Sequence, residues 1–587
     1  MAKTVSDALV ERLTKWGVGR IYGYPGDGIN GVVGAIQRQK KIEFIQPRHE
    51  EMAAFMACGH AKFTGELGVC LATSGPGAIH LLNGLYDAKV DHQPVLAIVG
   101  HTSRSVLGAS YQQEVDLPSL FKDVASEYAQ VVSSAVQLRH VVDRAIRTAL
   151  GQRCPVCIVL PTDVQELENE EPPHKHGAVH SGIGYSAPRI VPSPPELERA
   201  AEILNAGKRV AMLVGAGALG ATSEVLEVAD ALGAGVAKAL LGKTVVSDAL
   251  PFVTGGIGLL GTKPTYDMMM ACDTLLVVGS SFPYSEFLPE EGQARGVQID
   301  IDARMIGLRY PMEANLLGDS AETLRLLLPM LRPKADRSWR AKIEAGVRKW
   351  WGTLEERAML AADPLSPQRL FHELSPRLPE DANLACDTGS AVFWYSRHLK
   401  LAPTMRSAHS GSLASMGAAM PYAISAKFAY PGQPVFAFVG DGAMQMNGLA
   451  ELITVAKYWK RWPDPRFIVL VLNNRDLNMV SWEQRILQGN PKFRDSQDLP
   501  DFSYAAYARL LGFDALTVTD PDSVADAWDY ALAQQRPVLV EAIVDPAVPM
   551  LPPHVTLEQA KSYLTAVLKG DPEAFRIIKA SVKEVLA

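Results

Sequence analysis

Cysteine is scarce, with six in 587 residues. They are too few and too scattered for a disulfide framework, which fits a reducing, cytoplasmic setting. Long apolar runs are absent too. No stretch approaches the roughly 18 uninterrupted apolar residues of a membrane-spanning helix. The N-terminal MAKTVSDALVERLTKWGV reads as an amphipathic helix, without the apolar centre and cleavage site of a signal peptide. Basic residues are in deficit. Lys and Arg number 57 against 64 Asp and Glu, for a net charge of −7, so no electrostatic case for nucleic acid exists. Cys154 and Cys157 form a C-x-x-C, but Cys157 lies in the apolar run VCIVLP. Thioredoxin-like pairs open a helix instead, so these read as core thiols.

What the chain has is alternation. Strand-like runs (VCLATS, PVLAIVG, VAMLVG, TLLVVG, PVFAFVG, FIVLVLNN) recur between helical patterns, which predicts parallel sheets covered by helices on both faces. Two segments read as linkers: 166–195, rich in Pro, His, Gly and Ser, and 333–367, charged, helical and Trp-containing. They divide the chain into about 1–165, 190–332 and 365–550, with a tail at 551–587. An internal echo supports two outer domains of one architecture. AKF, GPG and NGL at 61–63, 75–77 and 83–85 correspond to AKF, GDG and NGL at 426–428, 440–442 and 447–449. The expected fold class is α/β: three doubly wound parallel-sheet domains, two outer and one central and Rossmann-like.

Ligands of open parallel sheets gather at the carboxyl ends of strands. Gly440-Asp441-Gly442 follows PVFAFVG, and Asn473-Asn474 follows FIVLVL, with 30 residues between Gly442 and Asn473. Glycines let backbone N–H groups approach a phosphate at a helix N-terminus. An Asp carboxylate and an Asn carboxamide are oxygen donors suited to a hard cation such as Mg²⁺. Each motif alone is an ordinary turn; the pair at this spacing is specific. Upstream, Arg48-His49-Glu50-Glu51 opens a helical run, where acidic residues also complement the helix dipole.

Together these motifs resemble the thiamine diphosphate-dependent enzymes, over essentially the whole chain. The resemblance implies metal ligation by Asp441, Asn474 and the backbone oxygen of Asp476. It implies that Glu50 binds N1′ of the aminopyrimidine, and that Met416 holds the cofactor bent. Tyr24-Pro25-Gly26 and Ser74-Gly75-Pro76-Gly77-Ala78-Ile79-His80 are similar to the family's loops near the pyrimidine. Further cofactor contacts are expected from Pro25, Gly26, His80, Gly389, Gly440, Gly442, Ala443 and Asn478, and a catalytic role from Gln113.

Within the family the chain looks nearest to pyruvate oxidase and quinone-linked pyruvate dehydrogenase, with acetolactate synthase as a relative. Gly215-Ala-Gly-Ala-Leu-Gly220 follows a strand, but the next strand-like segment carries Lys238 and no acid, which disfavours NAD. Gly215, Gly279, Ser280, Phe282, Asp300, Ile301 and Asp319 fall in segments similar to the FAD-binding segments of pyruvate oxidases. Two departures stand out. Gln112 precedes Gln113-Glu114 where relatives usually carry Phe, a departure that puts pyruvate itself in question and leaves room for a more polar acid or aldehyde. No Arg follows Phe282-Pro283-Tyr284-Ser285, against acetolactate synthase, although Leu477-Asn478-Met479-Val480 looks like that enzyme's L-G-M-V.

The expected activity is oxidative decarboxylation of a 2-oxo acid such as pyruvate, with electrons passing through FAD to quinone or oxygen. A carboligase with structural or no FAD is the alternative. A homodimer or homotetramer is expected. In the tail, Asp571-Pro572 starts a helix, and Phe575, Ile578, Val582 and Val585 form one apolar stripe. This stripe is expected to dock on its own protein. The resemblance to quinone-linked dehydrogenases offers instead a peripheral contact with the inner face of a membrane.

Overall fold

A computed structural model describes residues 3–586. By compactness the chain forms two units. The first comprises Met1–Ala187, Ala408–Ala437 and Gln445–Pro465; the second comprises Pro188–Ser407, Phe438–Met444 and Arg466–Ala587.

Among the described residues, eighteen strands make three six-stranded sheets. The first contains β1 (Arg20–Gly23), β2 (Glu43–Ile45), β3 (Gly68–Ala72), β4 (Val95–His101), β5 (Ala129–Val131) and β6 (Pro155–Pro161), in the order 2-1-3-4-6-5. The second contains β7 (Val210–Val214), β8 (Gly235–Lys238), β9 (Val253–Gly256), β10 (Thr274–Val278), β11 (Arg295–Asp300) and β12 (Ala314–Leu317), in the order 12-11-10-7-8-9. The third contains β13 (Asn383–Cys386), β14 (Arg406–Ala408), β15 (Val435–Gly440), β16 (Phe467–Asn473), β17 (Asp514–Val518) and β18 (Val538–Ile543), in the order 14-13-15-16-18-17.

Counted from its own first strand, the third sheet repeats the 2-1-3-4-6-5 order of the first, so the echoed motifs rest on one topology used twice. The central sheet, counted likewise, runs 3-2-1-4-5-6, the order of dinucleotide-binding folds. Central strands such as β4 and β16 are buried along their whole length, as strands covered on both faces must be. Beside the first strand of each sheet the chain crosses to the other side, and there the loops at the carboxyl ends diverge and leave a crevice. That point lies between β1 and β3, between β7 and β10, and between β13 and β15.

Residues 169–193 form no helix or strand. The second expected linker is largely one helix, Ser338–Ala358, whose Trp339, Ile343 and Val347 join the core of the central domain. All six cysteines are free thiols, and burial raises the Cys157 thiol well above its ordinary range.

The tail corrects one expectation. Helix Ala574–Leu586 does dock on its own unit, but through the buried Ile577 and Glu584. Glu584 meets Arg357 at 3.2 Å and accepts a hydrogen bond from Gln368. Buried Arg485 forks onto Asp571 at 2.8 and 3.2 Å and reaches Glu573 at 2.8 Å. The stripe of Phe575, Ile578, Val582 and Val585 faces outward, from 39% to 80% exposed. Its periodicity marks an apolar face, but the ion pairs select the opposite one for burial.

Candidate active site

In the first unit, the crevice between β1 and β3 gathers the residues singled out upstream. Glu50 is the first residue of helix Glu50–Thr64, whose cap is His49: its Nδ1 accepts the Glu51 N–H at 3.2 Å. Glu50 is nearly buried, and its Oε2 lies 3.0 Å from His80 Nδ1. The His49 and His80 rings stand 4.3 Å apart. Three potential ligand atoms of His49, Glu50 and His80 lie within 4.8 Å of one another; the Glu50–His80 hydrogen bond accounts for their approach.

The turn after β3 is built for close approach. Gly75 has φ +60° and starts helix Pro76–His80. A Cβ on Gly77 would sit 2.8 Å from Thr73 and 3.3 Å from Glu50 Oε1, so glycine keeps that oxygen clear. Pro25-Gly26 packs on the same turn: a Cβ on Gly26 would lie 2.6 Å from Thr73, and Gly28 donates its N–H to Thr73 Oγ1 at 3.1 Å. Ser74 Oγ donates to Gln113 Oε1 at 2.7 Å. Gln113 adopts φ +60°, a strained conformation for a residue with a side chain, of the kind that collects at functional sites. Gln112 beside it is exposed. Glu50, His80, Ser74, Gln113 and the Pro25-Gly26 turn therefore surround one place. Met416 belongs to the same unit, in the irregular segment 409–418.

In the second unit, Gly440-Asp441-Gly442 ends β15 and Asn473-Asn474 ends β16. Asp441 accepts N–H groups from Asn474 (2.9 Å), Arg475 (2.5 Å) and Gly442 (2.9 Å). Burial pushes its carboxyl up to about 7, against those three donors, and the nearby Asp476 adds to the rise. A buried carboxylate aligned by backbone, with no cationic partner among the described residues, suits a divalent ion. Asn474 Oδ1 accepts the Asp476 N–H at 3.0 Å, which orients the carboxamide. The Asp476 side chain is engaged by Ser481 (2.7 Å), Asn478 (3.1 Å) and Lys492 (3.0 Å), so any ligand it offers must be its backbone oxygen. Asn478 is tied to Asp476 and to the Pro546 carbonyl, and its visible work is to brace this loop. A π-helical turn, Met444–Gly448, follows Ala443, an irregularity frequent at functional sites. Gly389, at φ +105°, opens the helix after β13 with empty space where a Cβ would stand.

In the central domain, Gly215 and Gly279 end β7 and β10 at the reversal point. Their backbones pack together: Gly217 donates its N–H to the Gly279 carbonyl at 3.0 Å, and a Cβ on Gly279 would lie 2.5 Å from Gly217. These glycines are thus required by the protein itself, whatever else they contact. Phe282 packs edge-on against Tyr284 beside Ser280. Asp300 ends β11 and accepts the Asp302 N–H at 3.0 Å; Ile301 is exposed, and Asp319 caps the following helix through Glu322 N–H. Lys238 ends β8, where a NAD site wants an acid, buried and 2.6 Å from Asp248.

Sequence reasoning missed the supports. Lys62, Asp87, Asp91 and Asn83 form a buried polar network in the first unit, and Glu451 accepts the Arg48 N–H at 2.8 Å, two residues before Glu50. Charged residues on otherwise apolar helices were the one available signal.

Comparison with known proteins agrees with this arrangement. The N-terminal binding domain of thiamine pyrophosphate enzymes (thiamine pyrophosphate is another name for thiamine diphosphate) matches residues 3–120, the central domain 197–327 and the C-terminal binding domain 387–542. The chain is 36% identical to the Bacillus subtilis protein YdaP, named for its thiamine pyrophosphate, over all of this chain and 99% of that one. It is 30% identical to a pyruvate oxidase of Lactiplantibacillus plantarum, over 97% and 92% of the two chains. It is also 30% identical to a Methanocaldococcus jannaschii protein named as an acetolactate synthase large subunit, over 93% of each. With strand-end motifs, sheet orders and full-length relatives in agreement, the chain belongs to the thiamine diphosphate-dependent enzyme family.

Proposed function

We propose that this enzyme oxidatively decarboxylates a 2-oxo acid, with FAD in the central domain and quinone or oxygen as electron acceptor. The observation that carries the redox part is the 3-2-1-4-5-6 central sheet, with Gly215 and Gly279 at its reversal point. A dinucleotide is held at such a point, and Lys238 in place of an acid favours a dinucleotide other than NAD. The full-length likeness to a pyruvate oxidase supports the same reading.

Bound thiamine diphosphate would supply the nucleophilic carbon and the electron sink that decarboxylation requires. The residues have the following tasks. Glu50 holds a proton at Oε1 for N1′ of the cofactor, while Oε2 stays fixed by His80. Asp441, Asn474 and the Asp476 backbone oxygen would hold Mg²⁺, and Gly440, Gly442 and Ala443 would border the diphosphate. Gln113, locked by Ser74, presents its amide toward the substrate, and exposed Gln112 favours an acid with a polar substituent. Asp300, Ile301, Ser280 and Phe282 lie at strand ends where they would border the FAD. The outward stripe on the last helix is the surface a peripheral lipid contact would use.

The second reading is carboligation, supported by likeness to acetolactate synthases across more than nine tenths of the chain. The visible absorption spectrum of the purified protein, followed by anaerobic addition of 2-oxo acid, separates the two. Substrate-dependent bleaching of a flavin band is expected. A flavin that stays oxidised while a hydroxy-keto acid accumulates would establish the carboligase.

A further inference from the structure

The echoed NGL motifs have no task in the scheme above, yet both meet the segment that carries Met416. Asn83 donates from Nδ2 to Glu51 Oε1 at 2.7 Å and to Ser415 Oγ at 3.0 Å. It therefore joins the neighbour of Glu50 to the neighbour of Met416. Asn447, its counterpart in the second echo, lies against the other side of the same turn. A Cβ on Gly417, at φ +88°, would collide with the Asn447 carboxamide. Ala414 also has positive φ, +55°, so the segment is held in a shape it would not choose alone.

Its far end is anchored as firmly. Lys62 Nζ reaches Asp87 (3.0 Å), Asp91 (2.8 Å) and the His409 carbonyl (2.5 Å). Asp91 in turn accepts the N–H groups of Gly411 (2.9 Å) and Ser412 (2.8 Å). Asp87 accepts from Ser410 Oγ at 2.6 Å, and that same oxygen accepts the Ser415 N–H at 2.8 Å. Lys62, Asp87 and Asp91 are buried, as side chains in fully satisfied networks that specify one arrangement are.

We propose that Asn83 and Asn447, with the Lys62–Asp87–Asp91 anchor, are positioning residues that clamp segment 409–417 and fix Met416 relative to Glu50. This rests on the reading of Glu50 and Met416 as cofactor-facing residues. Equivalent positions of a duplicated motif would thus have been kept for one purpose in both halves.

The test compares wild type with Asn83→Ala, Ser415→Ala and the double variant, each as full-length protein with Mg²⁺ and thiamine diphosphate. Hydrogen exchange is read by mass spectrometry over 409–417, where the Gly411, Ser412 and Ser415 amides report the clamp. Loss of one buried bond should speed that exchange roughly tenfold, lower kcat more than it changes KM for the 2-oxo acid, and leave Tm nearly unchanged. The effects of the two single variants should add to more than the effect of the double variant, because the Asn83–Ser415 bond is lost in both. Unchanged exchange, or a lowered Tm with kcat and cofactor affinity intact, would overturn the proposal. Should Asn83→Ala fail to fold, Ser415→Ala removes a single hydroxyl and carries the comparison. Wild-type protein that binds no thiamine diphosphate in a calorimetric titration would overturn the functional reading instead, whatever the exchange shows.

Discussion

Glu50 gives one oxygen to His80 and keeps the other clear, so Glu50→Gln removes an acid without emptying the site. Turnover should fall by roughly 10²–10⁴, with circular dichroism and Tm retained. If Asp441 holds the metal as proposed, Asp441→Ala should weaken Mg²⁺ and thiamine diphosphate together, by roughly tenfold or more. Titrations that leave both affinities unchanged would reject this site. Glu451 makes a separate, pH-dependent claim. Burial pushes its carboxyl up to about 7, against the Arg48 N–H that it accepts. The folded form thus holds its proton more tightly than the unfolded form. Its contribution is complete below the unfolded value near 4.5 and is lost as pH rises through about 7, by on the order of 3 kcal/mol. Glu451→Gln should therefore flatten the decline in urea midpoint between pH 5 and 8.

Among the elements, the strands were the most legible. PVFAFVG and FIVLVL are apolar throughout because both faces of β15 and β16 are covered, and the GDG and NN turns follow at their ends. Glu50 stood out only through the family resemblance, because an acidic residue at a helix start is common for reasons of the helix dipole alone. The supports of the site were not. Asn83 meets Ser415, and Asp91 meets Gly411, across more than 300 residues of chain, and no local period records such a pairing. The last helix shows a second limit. Its apolar stripe is real, but Arg485, Asp571 and Glu573 decide which face is buried. Breaking such a buried pair costs about 3–5 kcal/mol. Arg485→Met should accordingly lower Tm and speed proteolytic release of the segment after Gly570, with the catalytic residues untouched.

At the scale of the whole molecule, members of this family are typically oligomeric. Sedimentation of the active enzyme should give a species larger than the 63.6 kDa chain; an active species of that mass would refute it. The outward stripe predicts that phospholipid vesicles raise the rate with a quinone analogue. Phe575→Ser combined with Val585→Ser should abolish that response at unchanged Tm, since both side chains are largely exposed. Equal responses from both proteins would leave the stripe without a lipid role.

The first unit is assembled from three separate stretches of chain, the last ending at Pro465. Helix Glu50–Thr64 is buried on nearly every side, and Gly59 admits Tyr422 and Ser425 of a later stretch so closely that a Cβ would lie 2.7 Å from the Tyr422 ring. During synthesis the first 187 residues therefore emerge with this helix uncovered. At roughly 5–20 residues per second the covering segment arrives about 10–50 seconds later. For that interval the nascent chain displays apolar surface that the finished protein hides. Its yield in a cell should depend on holding chaperones, and a fragment ending at Ala187 should precipitate when expressed alone.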